Sequence, residues 1–424
     1  MFHERDIPIQ VAVGNYDLGI CGLDWIEELR IKYSSSALVK LRDLSYGNGN
    51  LYMAASRSEP LSTIEELRTR QDTLRIATEY PNLAESFALN MRFRRFSIFP
   101  LWGAAEAYPP DSADLALVSA STAKELTNCN LAPVSTILTS STYLIANKNS
   151  WQSKDLSRLL SSLEGNLPLA AERPSLAGIS PAARKATLPL PTEASPDAVR
   201  IALPDGHQQA PTIDLLNRAG IQVDDYPSKT GNRRPNTSLD GVMLKVIRPQ
   251  DMPLQVASGN FDLAITGRDW LRDHLYCFPS SPATELLDLK FGWVRIVAVV
   301  TRDLPVNDAY SLRQLVASRA LPFRVASEYI NIADKYARDN HLGLYRVVPT
   351  WGASEAFLPE DADLLIENTQ TGRTIATHNL KIIDILFEST ACLIGARNGQ
   401  LTPAKRKKIE SIIKALRTAV VNIT

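Results

Sequence analysis

The sequence predicts an α/β protein made of two tandem copies of one two-lobed domain, and three observations carry that expectation. The chain repeats itself, short apolar segments alternate with helical ones, and the last apolar segment follows a long excursion. PIQVAVGNYDLGICGLDW, starting at Pro8, and PLQVASGNFDLAITGRDW, starting at Pro253, are identical at twelve of 18 positions. Further pairs follow in the same order: RDLSYG with LDLKFG (Asp43 and Asp288), ATEYPN with ASEYIN (from Ala77 and Ala326), WGAAEA with WGASEA (from Trp102 and Trp351), and YLIANKN with CLIGARN. Chance does not set five such pairs in one order.

In the second copy VRIALP, GVMLKVI, DLAIT, WVRIVAVVT, FRVASE, YRVVPT, ADLLIEN and ACLIGAR read as strands, with helices between many of them. That alternation points to a mainly parallel sheet with flanking helices. VRIALP turns at Gly206 into the helix TIDLLNRA, which Gly220 closes. ACLIGAR comes late, so the chain is expected to build a second lobe and return to the first, with a ligand between the lobes. A closing helix from Thr402 sets Ile409, Ile412, Ile413, Leu416 and Val420 on one face, and Pro403 suits its first turn. DLSRLLSSL, with Leu156, Leu159, Leu160 and Leu163, answers it in the first copy. Residues 164–198 hold six prolines and no helical period, and read as an interdomain linker. The expected organisation is a first domain over 1–163 lacking the opening strand and helix, a Pro-rich linker over 164–198, and a complete domain over 199–424.

Composition narrows the function. With 424 residues the chain has material for two cores. Lys plus Arg and Asp plus Glu number 46 each, so no global charge recommends nucleic acid or an anionic membrane as a partner. No apolar run approaches the roughly 20 residues that span a bilayer. The opening MFHERDIPIQ carries charges where a signal peptide has an apolar core. Cys21, Cys129, Cys277 and Cys392 are scattered, which fits four lone buried thiols in a reducing cytoplasm better than a metal site or disulfides.

The segment ADLLIENTQTGRTIATHNL, 362–380, carries the chemistry. A buried strand delivers Glu367 at its end, and Thr371, Gly372, Arg373 and Thr374 open a helix after a short turn. Free N–H groups at a helix start suit a phosphate, Gly372 allows close approach, and the threonines add hydroxyl donors. Glu367 is placed to accept from ribose hydroxyls. A Thr-Gly turn also serves as a plain helix cap; the acid before it favours a ribose 5-phosphate. The first copy aligns Val118 with Glu367, and Thr122, Ala123, Lys124 and Glu125 with the TGRT residues. It has lost the acid and the glycine, and Glu125 would repel a phosphate.

RPQDMPLQVASGNFDLAITGRDWL, 248–271, resembles the RPQD block of ATP phosphoribosyltransferases. LPDGH, 203–207, resembles their LPKGR, ASEYIN their ATKYPN, and 362–380 their phosphoribosyl pyrophosphate loop. The resemblance covers 199–424 and, more weakly, 1–163. It implies a two-lobed fold like that of the type II periplasmic binding proteins. It also implies attack of ATP N1 on C1 of phosphoribosyl pyrophosphate with release of pyrophosphate, the first step of histidine biosynthesis. Mg²⁺ would come bound mainly to substrate phosphates. On this resemblance Glu367, Thr371, Gly372, Arg373 and Thr374 hold phosphoribosyl pyrophosphate, and Asp205, Gly206 and Arg268 serve ATP. Arg248 stabilises the leaving group, against a plain reading as a surface arginine paired with Asp251. Glu355 places Mg²⁺ or ribose, or caps a helix. Asp205, His207 and Glu328 stand where the family has basic residues, leaving Arg233, Arg234 or Arg268 to compensate. Asp262, Asp269 and Trp270 recur as Asp17, Asp24 and Trp25, which suggests a fold role, with Trp270 in the core. The end at Thr424 resembles the short form, whose partner is a regulatory subunit related to histidyl-tRNA synthetases. The dimeric unit of the family suggests an intramolecular pseudo-dimer or a homo-oligomer. A non-catalytic, two-lobed ligand-binding or regulatory protein is the rival reading.

Overall fold

The computed structural model describes residues 2–33, 37–58, 63–164, 197–228, 231–397 and 401–421. The linker expected over 164–198 lies almost wholly outside the described residues. Two compact units form: Met1–His3, Trp102–Ala107 and Ala194–Thr424 in one, Glu4–Leu101 and Tyr108–Glu193 in the other.

The unit containing the second copy is built mainly on two five-stranded sheets. In the first, the order is Val242–Ile247, Val199–Pro204, Leu263–Gly267, Ala391–Ala396, Ala283–Asp288. In the second, it is Tyr345–Pro349, Phe323–Ser327, Leu364–Thr369, Val294–Thr301, Leu380–Ser389. The pairings make four strands of the first sheet point one way, with Ala391–Ala396 running against them. In the second sheet Val294–Thr301 is the one reversed strand. This is the mainly parallel α/β arrangement that the alternating segments predict, and all eight strands read from the sequence are present.

Local sequence explains most of it. From Ile296 to Val300 the strand is apolar and fully buried, as expected where both faces of a sheet are covered. The chain leaves the first sheet after Asp288, enters the second at Val294, and returns between Ser389 and Ala391. The late strand thus closes the first lobe, as its position in the sequence implies. The helix Pro403–Val421 then lays Ile409, Ile412, Leu416 and Val420 on a core with Val199, Ile201 and Leu203. Leu416 is 1% exposed, and truncating it to Ala should cost about 2–5 kcal/mol.

The other unit repeats the second sheet strand for strand: Phe96–Pro100, Leu74–Thr78, Leu115–Ala120, Gly49–Ser56, Leu131–Ser140. Even the register shifts correspond. They fall between Leu51 and Tyr52 and between Met53 and Ala54, and in the other unit between Ile296 and Val297 and between Ala298 and Val299. Its smaller sheet has three strands, Leu18–Gly22, Thr142–Asn147 and Leu38–Asp43. Counterparts of Val199–Pro204 and Val242–Ile247 are not among its described strands.

Candidate functional site

The two crossing points of the chain, at Gly292 and Val294 and at Ser389 and Thr390, line a cleft of about 230 Å³. Ends of parallel strands supply the rest. Asp205 and Gly206 follow Val199–Pro204, Arg248 follows Val242–Ile247, Trp270 follows Leu263–Gly267, and Asn368 sits near the end of Leu364–Thr369. Carboxyl ends of strands leave loops and helix starts free to meet a ligand.

Charge in this cleft is organised around Asp205. Arg233 donates to its Oδ2 at 2.7 Å, Arg248 Nη1 approaches the same oxygen at 3.6 Å, and the Gly206 N–H donates to Oδ1 at 2.8 Å. Burial would raise the Asp205 pKa, but Arg233, helped by Arg248, holds the carboxyl below its ordinary value. Of the three arginines named as candidates to offset the lost basic residues, Arg233 is held on Asp205 and Arg268 on Glu285. Arg248 reaches Asp205 and is half-exposed, with its Nε buried and without a hydrogen-bond partner among the described residues.

The segment Trp102–Ala107 belongs by sequence to the first copy and by contacts to this unit. The Trp102 N–H donates to both Asp251 oxygens, at 3.1 and 3.3 Å. Its ring lies 5.7 Å from that of Trp270 and 6.2 Å from that of Trp351. Glu106 accepts from Arg233 Nε at 3.3 Å.

Beyond Asn368 lies the loop. Glu367 accepts from the Ser354 hydroxyl and, at 2.9 Å, from the Asn368 N–H. Burial first, opposed by those hydrogen bonds and reinforced by the charges of Glu355 and Asp269, pushes its pKa up to about 7. Glu355 therefore stands by Glu367, in the short helical turn Ser354–Phe357. Gly372 adopts φ +73°, a left-handed conformation in which any Cβ is strained. The Gly372 N–H donates to Thr369 Oγ1 at 2.9 Å, and the Arg373 N–H to Thr371 Oγ1 at 3.4 Å. Thr371, Arg373 and Thr374 are exposed. The helix Arg373–Thr377 has five residues, so loop amides, rather than an aligned helix dipole, are what this turn offers an anion. In the first copy Glu125 fills the equivalent place: its carboxylate accepts from the Ser121 N–H at 2.9 Å.

A buried polar set backs the cleft. Asp269 accepts from the Tyr329 hydroxyl at 2.7 Å and from Ser389 Oγ at 3.0 Å. Burial raises its pKa and these hydrogen bonds oppose the rise. The first copy holds the same set, Tyr80 at 2.8 Å and Ser140 at 3.3 Å from Asp24, which supports a fold role for these aspartates. Trp270, expected in the core, packs against the core of the second sheet and also faces the cleft. It is half-buried, stacks on Tyr329 at 4.2 Å and lines the cleft. Retention in both copies does not separate a lining residue from a core one.

The structure brings Asp205, Gly206 and Arg248 together in the cleft, and Glu355 and Glu367 together beside the loop. Arg268 stands apart from the lining: Glu285 holds it at 2.6 and 2.8 Å and Asp288 at 3.1 Å. The Glu285 hydrogen bond and the Asp288 pairing keep its guanidinium firmly charged. Among the described residues no three His, Cys, Asp or Glu side chains group as a metal site, and no helix is long and apolar enough to cross a membrane. Sequence reading missed Trp102, Glu106 and Asn368; the retained WGAAEA motif was the available signal for the first two.

The family model described as HisG: ATP phosphoribosyltransferase matches residues 3–165 and 248–418. An ATP phosphoribosyltransferase of Prosthecochloris aestuarii is 31% identical over 227 residues, 54% of this chain and 73% of that one. One from Chlorobaculum parvum is 29% identical over 231 residues, 53% of this chain and 73% of the relative. Among solved structures, a chain of the ATP phosphoribosyl transferase (HisG:HisZ) complex from Thermotoga maritima is 18% identical with a TM-score of 0.43. The match covers 53% of this chain and 99% of that one.

Proposed function

The chain belongs to the ATP phosphoribosyltransferase family, the transferases of the first step of histidine biosynthesis, and on that premise we propose that residues 199–424 hold its transfer site. One contrast carries the assignment. The second copy presents Glu367 and a loop around Gly372 whose amides rest on threonine hydroxyls, whereas the first has Val118 and a loop whose Ser121 amide rests on the Glu125 carboxylate. The 5-phosphate of phosphoribosyl pyrophosphate meets the amides and hydroxyls of Thr371, Gly372, Arg373 and Thr374, and Glu367 accepts from the ribose hydroxyls. ATP enters the cleft beside Asp205 and Gly206, with Arg268 acting at most through Glu285 and Asp288. N1 forms its bond to C1 as the C1–O bond breaks, and the electron pair leaves with pyrophosphate. In this reading Arg248, which lines the cleft, stabilises that charge, and no covalent nucleophile is required.

Mg²⁺ belongs to this reading as a passenger of the substrate phosphates. Glu355 is the carboxylate beside the loop that can face it, and no cluster on the chain is required to hold it. A histidyl-tRNA-synthetase-like regulatory subunit and a cytoplasmic location complete the proposal. The deciding experiment incubates the full chain with ATP, phosphoribosyl pyrophosphate and Mg²⁺, then measures pyrophosphate and the N1-ribosylated nucleotide. Equimolar formation of both is expected. Binding of substrates with no product would favour the rival, a non-catalytic ligand-binding paralogue.

A further inference from the structure

Of the residues between Glu4 and Glu193, only Trp102–Ala107 group with the unit that contains the second copy. Its contacts with Asp251, Trp270, Arg248 and Arg233 fall on residues that line the cleft or touch its lining. Trp102 meets Asp251 and Trp270. Gly103, at φ +156°, packs so closely on Arg248 that a Cβ there would stand 3.0 Å from Nε. Glu106 holds Arg233.

The repeat makes the role of Glu106 specific. Its counterpart in the second copy is Glu355, which stands by Glu367. In the first copy Glu367 is replaced by Val118, so Glu106 has no such carboxylate beside it. Its ion pair with Arg233 is a different use of the same motif position. Geometry says what that use is. Glu106 takes Arg233 by Nε, the back of the guanidinium fork, while Nη1 rests on Asp205. An arginine anchored at Nε keeps its two terminal nitrogens for a second anion. Two arginines and two carboxylates balance at rest. An arriving phosphate can take the place of Asp205 on Arg233 without freeing the side chain.

We infer that Glu106, supplied by the degenerate copy, is a positioning residue of the second copy's cleft, holding Arg233 ready for a substrate phosphate. This rests on the cleft being the transfer site. The test uses the full chain with Glu106→Leu, Glu106→Gln, Arg233→Met and the Glu106→Leu/Arg233→Met pair. Pyrophosphate binding is measured by calorimetry, and turnover alongside. Glu106→Leu should weaken pyrophosphate binding about tenfold, Glu106→Gln should recover most of it through its amide oxygen, and the double variant should be no worse than Arg233→Met alone. A residue serving only the fold would lower Tm in both Glu106 variants and show no coupling to Arg233. Unchanged pyrophosphate affinity in Glu106→Leu, or additive losses in the double variant, overturns the inference. Coupled binding in a wild-type chain that makes no product would keep the inference and remove the transferase reading instead.

Discussion

The Ser121 N–H donates to the Glu125 carboxylate at 2.9 Å, so the first copy's loop carries its own anion where the second copy's loop amides meet only neutral threonine hydroxyls. A second anion is thereby excluded by charge and by occupancy. Changing Thr122 and Lys124 to Ala together should leave kcat and both KM values within about twofold, as for ordinary surface changes. Steady-state pyrophosphate release measures this, and a tenfold loss would place chemistry in the wrong copy.

Gly372 gives a sharper test of the working loop. At φ +73° it has open space, since an added Cβ would meet only Ile382 at 3.8 Å. Asn tolerates this backbone better than most residues, and Asp is its charged isostere. Gly372→Asn should raise the KM for phosphoribosyl pyrophosphate modestly, while Gly372→Asp should lower kcat/KM at least about a hundredfold by setting a carboxylate against phosphate. Equal activity in the two variants would remove the phosphate from this loop.

What was legible in the sequence was local or repeated. The TGRT turn, the acid before it and the eight apolar strands each lie within one short segment. Leu380–Ser389 was not read as a strand, because its two register shifts against Val294–Thr301 disturb the alternation that marks a strand. Ala283–Asp288, paired on one side only at the sheet edge, has the weak partial burial of such a position. The Glu106–Arg233 pair spans 127 positions and joins two copies, so no spacing rule could supply it. The cleft side of Trp270 went unread for a related reason: an aromatic on a helix start reads as core whether its other face meets side chains or a ligand.

Arg248 should separate binding from transition-state stabilisation. Its contact with pyrophosphate strengthens as the leaving group gains charge, so Arg248→Ala should lower kcat more than it raises the KM for phosphoribosyl pyrophosphate. Steady-state kinetics at saturating ATP gives both numbers. The opposite split would make Arg248 a ground-state binding residue.

Glu367 predicts a pH signature. Its folded pKa of about 7 lies above the ordinary 4.5. Its stabilising share is therefore complete below pH 4.5, declines as pH rises toward 7, and stays lost above that. Glu367→Gln does not titrate, so its Tm should gain on the wild type between pH 4.5 and 7 and then run parallel. Substrate binding should change the other way: ribose hydroxyls need the carboxylate form, so wild-type affinity for phosphoribosyl pyrophosphate should rise through pH 7 relative to the variant. Parallel Tm curves across the whole range would contradict the raised carboxyl.

Deleting residues 1–163 tests what the degenerate copy does for the whole. The deletion removes Trp102–Ala107 and Met1–His3 from the unit they fold with. Asp251 loses the Trp102 N–H, Trp270 and Trp351 lose the Trp102 ring, and Phe357 loses the edge of Phe2 at 4.9 Å. A buried carboxylate left short of a donor costs about 1–3 kcal/mol, and bared tryptophans favour association. The 199–424 fragment should therefore melt lower, aggregate more readily and turn over more slowly than the full chain. Adding residues 1–163 as a separate chain should restore rate in a concentration-dependent way, because covalent linkage supplies the segment at high effective concentration. Differential scanning calorimetry, light scattering and the pyrophosphate assay read the three effects. A monomeric 199–424 fragment with the full kcat would show that the first copy is dispensable and that its retained WGAAEA segment has no part in the site.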